Sequence, residues 1–265
     1  MSAVIIEGKL VHYEAIGHGR PILFIHGWLG SWRYWMSSMD DLSERYRAYA
    51  LDLWGFGDTD RRQDGYSLSA YVDMVERFLD EMGIYQVTLV GHGLGGAIAI
   101  RVTRRIPERV DRLIAVNTPM MGAAIAPPLA TFSNHHNGDW IVRILGRRQA
   151  SAYPEVQIEA SKTDLNAVIR SIQTVRTEDL RSDLESITCP VLLVFGKNDP
   201  LIYPPAEQWL NQLEENVHIV FMDESSHFPM LDEASRFTRL LRQFLALGSG
   251  VDALEIRDEW RRRIR

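Results

Sequence analysis

The 265-residue chain reads as an α/β protein with a mostly parallel sheet and helices on both faces, and three features carry that reading. Short apolar runs at Pro21 to Ile25, Ala48 to Leu53, Val87 to Val90, Leu113 to Val116, Pro190 to Gly196 and Val217 to Met222 alternate with helix-spaced segments. That order is what a parallel sheet with crossover helices produces. The stretch Val87 to Ile100, VTLVGHGLGGAIAI, compresses a strand, a tight glycine turn and a small-residue helix into one continuous unit. Finally, 46% of the residues are apolar, enough for a large core in a single domain of this length.

Taken in order, Val4 to Ile6 and Leu10 to Ala15 alternate around Gly8 and predict a β-hairpin at a sheet edge. Pro21 to Ile25 is apolar throughout, as a strand buried on both faces must be, and it ends in His26, Gly27 and Trp28. Ser31 to Tyr46 reads as a short helix over the sheet. The strand Ala48 to Leu53 runs into DLWGFGDTD, Asp52 to Asp60, whose glycines allow a sharp turn. Leu68 to Met82 places Tyr71, Met74, Val75, Phe78, Leu79 and Met82 on one helical stripe.

From Met120 to Leu184 the alternation breaks. This segment holds Pro127 and Pro128, a polar patch from Ser133 to Asp139, and helical stretches around Trp140 to Leu145 and Val156 to Val175. His135 and His136 are adjacent, so they point apart on a helix, and no carboxylate or cysteine stands at ligand spacing; a solvated turn is the expectation and no metal site is assigned. The sheet resumes at Pro190 to Gly196, followed by Asp199, and Val217 to Met222 precedes the segment DESSHFPMLDEASRF, which contains His227. Arg236 to Leu247 closes the core. Beyond it, Ile256, Trp260 and Ile264 share one face of a basic amphipathic helix, for which docking on its own domain or on a second subunit, as a homodimer, is the expectation.

A net charge of -6, with basic residues scattered until the tail, gives no attraction to nucleic acid. No apolar run approaches the roughly 20 residues that span a bilayer, and the N-terminus lacks a leader pattern. Cys189 has no partner for an internal disulfide and reads as a small buried thiol before Pro190. A soluble cytoplasmic protein is expected.

Four motifs in this order resemble the α/β-hydrolase superfamily. Gly91, His92, Gly93, Leu94 and Gly95 match its GxSxG nucleophile elbow except that Gly93 stands where the family has serine. The HG pair at Gly27, the Asp52 to Asp60 loop and the HFPMLDEASRF segment are the others. The resemblance implies an α/β-hydrolase fold with residues 1–119 and 185–247 as core, 120–184 as an inserted helical lid, and 248–265 as a tail. It also implies Asp199 and His227 as the acid and histidine, and backbone N–H groups of Trp28 and Leu94 as an oxyanion hole; Asp223, at a strand end too, is the alternative to Asp199. Trp54, Met120, Met121, Ile125, Phe132, Trp140 and Phe228, with Trp28, are expected to line an apolar pocket for a small uncharged ligand. No cofactor is called for.

Deleting the serine removes one role. A His–Asp pair remains a competent base and the oxyanion donors belong to the backbone. Four readings stay open: weak, water-mediated hydrolysis of a small ester or lactone; a non-catalytic small-molecule binder; His–Asp base chemistry of the lyase or cofactor-free oxygenase kind; and a serine hydrolase inactivated by engineering.

Overall fold

The computed structural model describes residues 2–62, 64–132 and 139–247. Its strands are β1 (Ser2–Ile6), β2 (Lys9–Gly17), β3 (Arg20–Ile25), β4 (Tyr46–Leu51), β5 (Val87–His92), β6 (Val110–Val116), β7 (Val191–Gly196) and β8 (Val217–Met222). They form one sheet in the order β1-β2-β4-β3-β5-β6-β7-β8. The β1–β2 hairpin and the β2–β4 pair are antiparallel, and every other neighbour is parallel.

The helices of the core are α1 (Met36–Leu42), α2 (Leu68–Glu81) and α3 (Leu94–Arg105). The chain between β6 and β7 forms α4 (Pro127–Ala130), α5 (Trp140–Leu145), α6 (Arg147–Ala152), α7 (Pro154–Ala160), α8 (Leu165–Val175) and α9 (Arg181–Glu185). After β7 come α10 (Glu207–Leu210), α11 (Pro229–Asp232) and α12 (Ala234–Ala246). The crossover from β3 moves one way along the sheet to β4, and the next returns past β3 to β5. Right-handed connections therefore put α1 and α2 on opposite faces. In keeping with this, α12 packs on α1 while α3 packs on α2 and α9.

β5 lies between β3 and β6 and is buried at every position, which explains why its sequence shows no polar alternation. Because β3 to β8 run parallel apart from the edge hairpin, the loops after β3, β4, β5, β6 and β7 all open at one edge of the sheet. The helical insertion is stitched to that edge. Ala126 N–H donates to Leu201 O at 2.8 Å and Tyr203 N–H to Ala124 O at 2.8 Å.

Two local expectations change. The stretch Val156 to Val175 is two helices, α7 and α8, because Asp164 turns its carboxylate back on Asn166 N–H at 2.9 Å and starts a new helix there. Cys189 is half-buried rather than buried, and desolvation pushes its thiol up to about 11. His135, His136 and the tail with Ile256, Trp260 and Ile264 lie outside the described residues.

Candidate active site

Gly93 caps the N-terminus of α3 with φ 54° and ψ −112°, a backbone conformation that costs a residue with a Cβ about 1–3 kcal/mol. Its N–H is tied to Val116 O at 2.9 Å, so the turn is fixed by β6. The neighbouring glycines have a different reason to be glycine. A Cβ on Gly91 would collide with the carbonyl of Gly95, one on Gly95 with the carbonyl of Ile25, and one on Gly96 with the Thr118 hydroxyl. At Gly93 a Cβ meets Trp28 ring carbons at 3.7 Å and Gly27 Cα at 3.8 Å, which is ordinary contact. Space excludes side chains from the other three positions, whereas at Gly93 only the backbone angle disfavours one.

His227 sits in the loop after β8, and its Nδ1 lies 2.9 Å and 3.1 Å from the two carboxylate oxygens of Asp199. The carboxylate accepts, so the proton is on Nδ1 and Nε2 is left as an acceptor. His227 is 1% exposed, and Nε2 has no protein partner. Asp199 is fixed in turn by Leu201 N–H at 2.8 Å and Ile202 N–H at 3.2 Å. Asp223 is elsewhere: it is 55% exposed and pairs with Lys197 Nζ at 2.5 Å.

His92, immediately before Gly93, packs its ring 4.6 Å from that of His227. Its Nε2–H donates to the His227 carbonyl at 2.8 Å, so Nδ1 accepts from the Tyr34 hydroxyl at 3.1 Å. Tyr34 accepts in turn from Gly27 N–H at 2.5 Å. Complete burial drives His92 well below the ordinary histidine range and holds it neutral. Gly27 N–H is therefore engaged beneath the turn. Neither Trp28 N–H nor Leu94 N–H meets a protein acceptor among the described residues. On the other side, Asn117 donates to the carbonyls of Ser226 and His227, both at 3.0 Å, and accepts from Gly196 N–H at 2.8 Å. One amide thus joins the ends of β6 and β7 to the histidine loop.

Of the apolar candidates, Trp28 is 0% exposed, lies beside Gly93 and anchors its indole N–H on Ser171 Oγ of α8 at 3.0 Å. Phe228 is buried among the rings of Tyr34, His92, His227 and Tyr153, behind the histidine. Ile125 is buried and bridged to Ile202, close to Asp199. Met120 is buried, with its carbonyl accepting from Leu180 N–H at 2.8 Å. Met121 is half-buried and bridged to Asp179. Phe132 and Trp140 pack on each other with ring centroids 5.6 Å apart. Trp54 is buried beneath the Arg62 guanidinium, 5.8 Å from its ring, and beside Gly65.

Several contributors carry no short-range signal. Asp52 opens the glycine loop, and its carboxylate takes Trp32 N–H at 2.8 Å, Asp58 N–H at 3.0 Å and His12 Nδ1 at 2.9 Å. His12, Asp52 and Asp58 stand within ligand distance of one another, yet Asp52 is consumed by these bonds and Asp58 by Lys162 Nζ at 3.0 Å. The group pins the loop rather than offering a cation a free donor set.

A buried, hydrogen-bonded His227–Asp199 pair thus lies in the loops at the carboxyl edge of the sheet. The model of the alpha/beta hydrolase family matches residues 22–240, and the chain belongs to that family. The AB hydrolase superfamily protein YisY of Bacillus subtilis is 29% identical over 73% of this chain and 79% of its own length. A pimeloyl-[acyl-carrier protein] methyl ester esterase of Nitrosospira multiformis is 26% identical over 80% of this chain and 89% of its own. Among solved structures, the enol-lactonase from Burkholderia xenovorans LB400 superposes with a TM-score of 0.80 at 20% identity, covering 92% of this chain and 99% of that one. No helix among the described residues is long and apolar enough to cross a membrane.

Proposed function

We propose that the protein hydrolyses a small apolar ester or lactone slowly and without an acyl-enzyme. The observation that carries this is the buried His227, fixed by Asp199 through Nδ1 with Nε2 unpartnered, beside an elbow that has no nucleophile. In this reading a water beside Gly93 gives its proton to Nε2 and attacks the carbonyl, while Trp28 N–H and Leu94 N–H receive the oxyanion. His227 then returns the proton to the leaving oxygen. Residues 120–184 act as a lid, and Trp28, Trp54, Met120, Met121, Ile125, Phe132, Trp140 and Phe228 supply the apolar walls. The ester and lactone chemistry named for the two relatives supports the substrate class. A triad stripped of one member keeps roughly 10³ to 10⁴ of acceleration over water, which sets the rate expected. The lone Cys189 fits residence in a reducing cytoplasm.

The test is a panel of short-chain esters and lactones assayed with the protein and with His227→Gln. Turnover above background that the substitution abolishes supports the reading. Tight binding of a neutral ligand with no His227-dependent turnover moves the protein to the binding class.

A further inference from the structure

We propose that the helical insertion positions the base: Gln149 of α6 and Tyr153 at its C-terminal end hold the histidine loop, and His227 keeps one fixed orientation toward Asp199 only while α6 is seated there. This deepens the hydrolytic reading above by adding two positioning residues to the same base. The core and the insertion grip different groups of the loop. From the core, Asn117 takes the carbonyls of Ser226 and His227, and His92 takes that of His227. From the insertion, Gln149 Nε2 donates to Ser226 Oγ at 2.9 Å. That hydroxyl gives its own proton to Asn198 O at 3.3 Å, so one oxygen joins the residue before His227 to the residue before Asp199. Having spent its proton, the hydroxyl must accept from Gln149, which turns the amide nitrogen toward it. The Tyr153 hydroxyl donates to Asp232 Oδ1 at 2.6 Å, and Asp232 Oδ2 takes Ser226 N–H at 2.7 Å. The Tyr153 ring also packs edge-on against Phe228, with 4.8 Å between centroids. Both neighbours of His227 are therefore held from α6.

The chemistry of Gln149 argues against a packing role. Its Oε1 is buried without a partner, a loss that methionine or leucine in the same volume would not carry. What offsets that loss is the bond its nitrogen makes to Ser226. The core bonds alone would leave the loop a hinge, because they hold two successive carbonyls from one side. Rotation about that hinge lengthens the 2.9 Å and 3.1 Å contacts of His227 Nδ1 with Asp199, and the α6 contacts oppose it from the other side.

The experiment uses the intact chain with Gln149→Met and Tyr153→Phe, which keep side-chain volume and remove one hydrogen bond each. Nuclear magnetic resonance follows solvent exchange of two imidazole protons: Nδ1–H of His227, identified by its loss in His227→Gln, and Nε2–H of His92, identified by its loss in His92→Gln. Each variant is expected to speed exchange at His227 about fivefold, the worth of one hydrogen bond, and to leave His92 as it was. On the ester and lactone panel, kcat should fall by a similar factor with KM unchanged, because the lost contact orients the base and not the substrate. Unchanged exchange at His227 in either variant overturns the inference. So does equal acceleration at His92, which would make α6 a support of the whole site, and so does a rise in KM at constant kcat. A parent without His227-dependent turnover removes the hydrolytic reading, and the exchange rates then decide this inference by themselves.

Discussion

Nε2–H of His92 donates to the main-chain carbonyl of His227 at 2.8 Å, so the residue before the elbow glycine holds the backbone of the proposed base. This bond requires a neutral His92 with its proton on Nε2, because Nδ1 must accept from Tyr34. The site is thus assembled from a neutral histidine beneath and an Asp-paired histidine above, with Asn117 clamping the same carbonyl at 3.0 Å.

That requirement has a consequence for stability. Burial lowers His92 well below its ordinary value of 6.5, and lowers His26 for the same cause. Between 6.5 and the depressed folded values the unfolded chain binds more protons, so the stability these residues contribute is full above 6.5 and is lost as pH falls. His12 has the opposite sign: burial lowers it, but the hydrogen bond and charge of Asp52 more than offset this and leave it raised. Its contribution is full below 6.5 and fades as pH rises through the raised value. Desolvation lowers His218 as well, so with three lowered against one raised the denaturant midpoint is expected to fall from about pH 7 to about pH 5, and to fall less in His92→Gln. A midpoint flat over that range would remove the neutral-histidine account.

Asp199 and Asp223 can be separated by one pair of variants. Asp199→Asn keeps the shape but removes the carboxylate that fixes the Nδ1 tautomer, so His227-dependent turnover is expected to fall by about 10³ to 10⁴ or to background. Asp223→Asn should leave turnover unchanged, since its side chain meets Lys197 at the surface. Equal losses in both variants would refute the assignment of Asp199.

Glu159 of α7 ties the helical insertion to the core. Its carboxylate is 3% exposed, and Oε1 takes Arg33 Nε at 2.7 Å and Lys162 Nζ at 3.3 Å. Arg33 is partly solvated and can find water, so Glu159→Gln is expected to cost about 1–3 kcal/mol rather than the full penalty of an orphaned buried charge. Hydrogen exchange should accelerate in α7 while β5 keeps its protection. Uniform acceleration across both would mean that Glu159 supports global stability and not the attachment of the insertion.

The distinction between what sequence revealed and what it hid follows contact range. The elbow was legible because strand, turn and helix are contiguous and because close packing forces glycine at Gly91, Gly95 and Gly96. The pairing of Asp199 with His227 was expected from the resemblance, which places an acid and a histidine after late strands in that chain order, and the two side chains do meet. Tyr34 was not legible, because it meets His92 58 residues away, nor was Asn117, whose partner His227 is 110 residues away. Nothing local distinguishes those two from other polar residues at strand ends and in loops. Asn117 carries one faint sign in its positive φ of 42°, which appears only once the backbone is placed.

Gly93→Ser tests whether one hydroxyl is all that separates this site from a full triad. The His227–Asp199 pair stands at 2.9 Å and residue 93 has room for a Cβ; in the proposed reading the backbone donors are those of Trp28 and Leu94. Restoring the oxygen should raise turnover of short activated esters by on the order of 10³ or more, with a burst of acyl-enzyme in the variant alone. The same change places an L side chain at φ 54°, so unfolding should be easier by about 1–3 kcal/mol, read as a lower denaturant midpoint at unchanged slope. Gain of activity with loss of stability would identify Gly93 as relief of a strain that only acyl transfer requires. A variant that is destabilised yet as slow as its parent, with no burst, would mean that the cavity no longer presents an ester carbonyl to residue 93, and the direct-attack reading would fall with it.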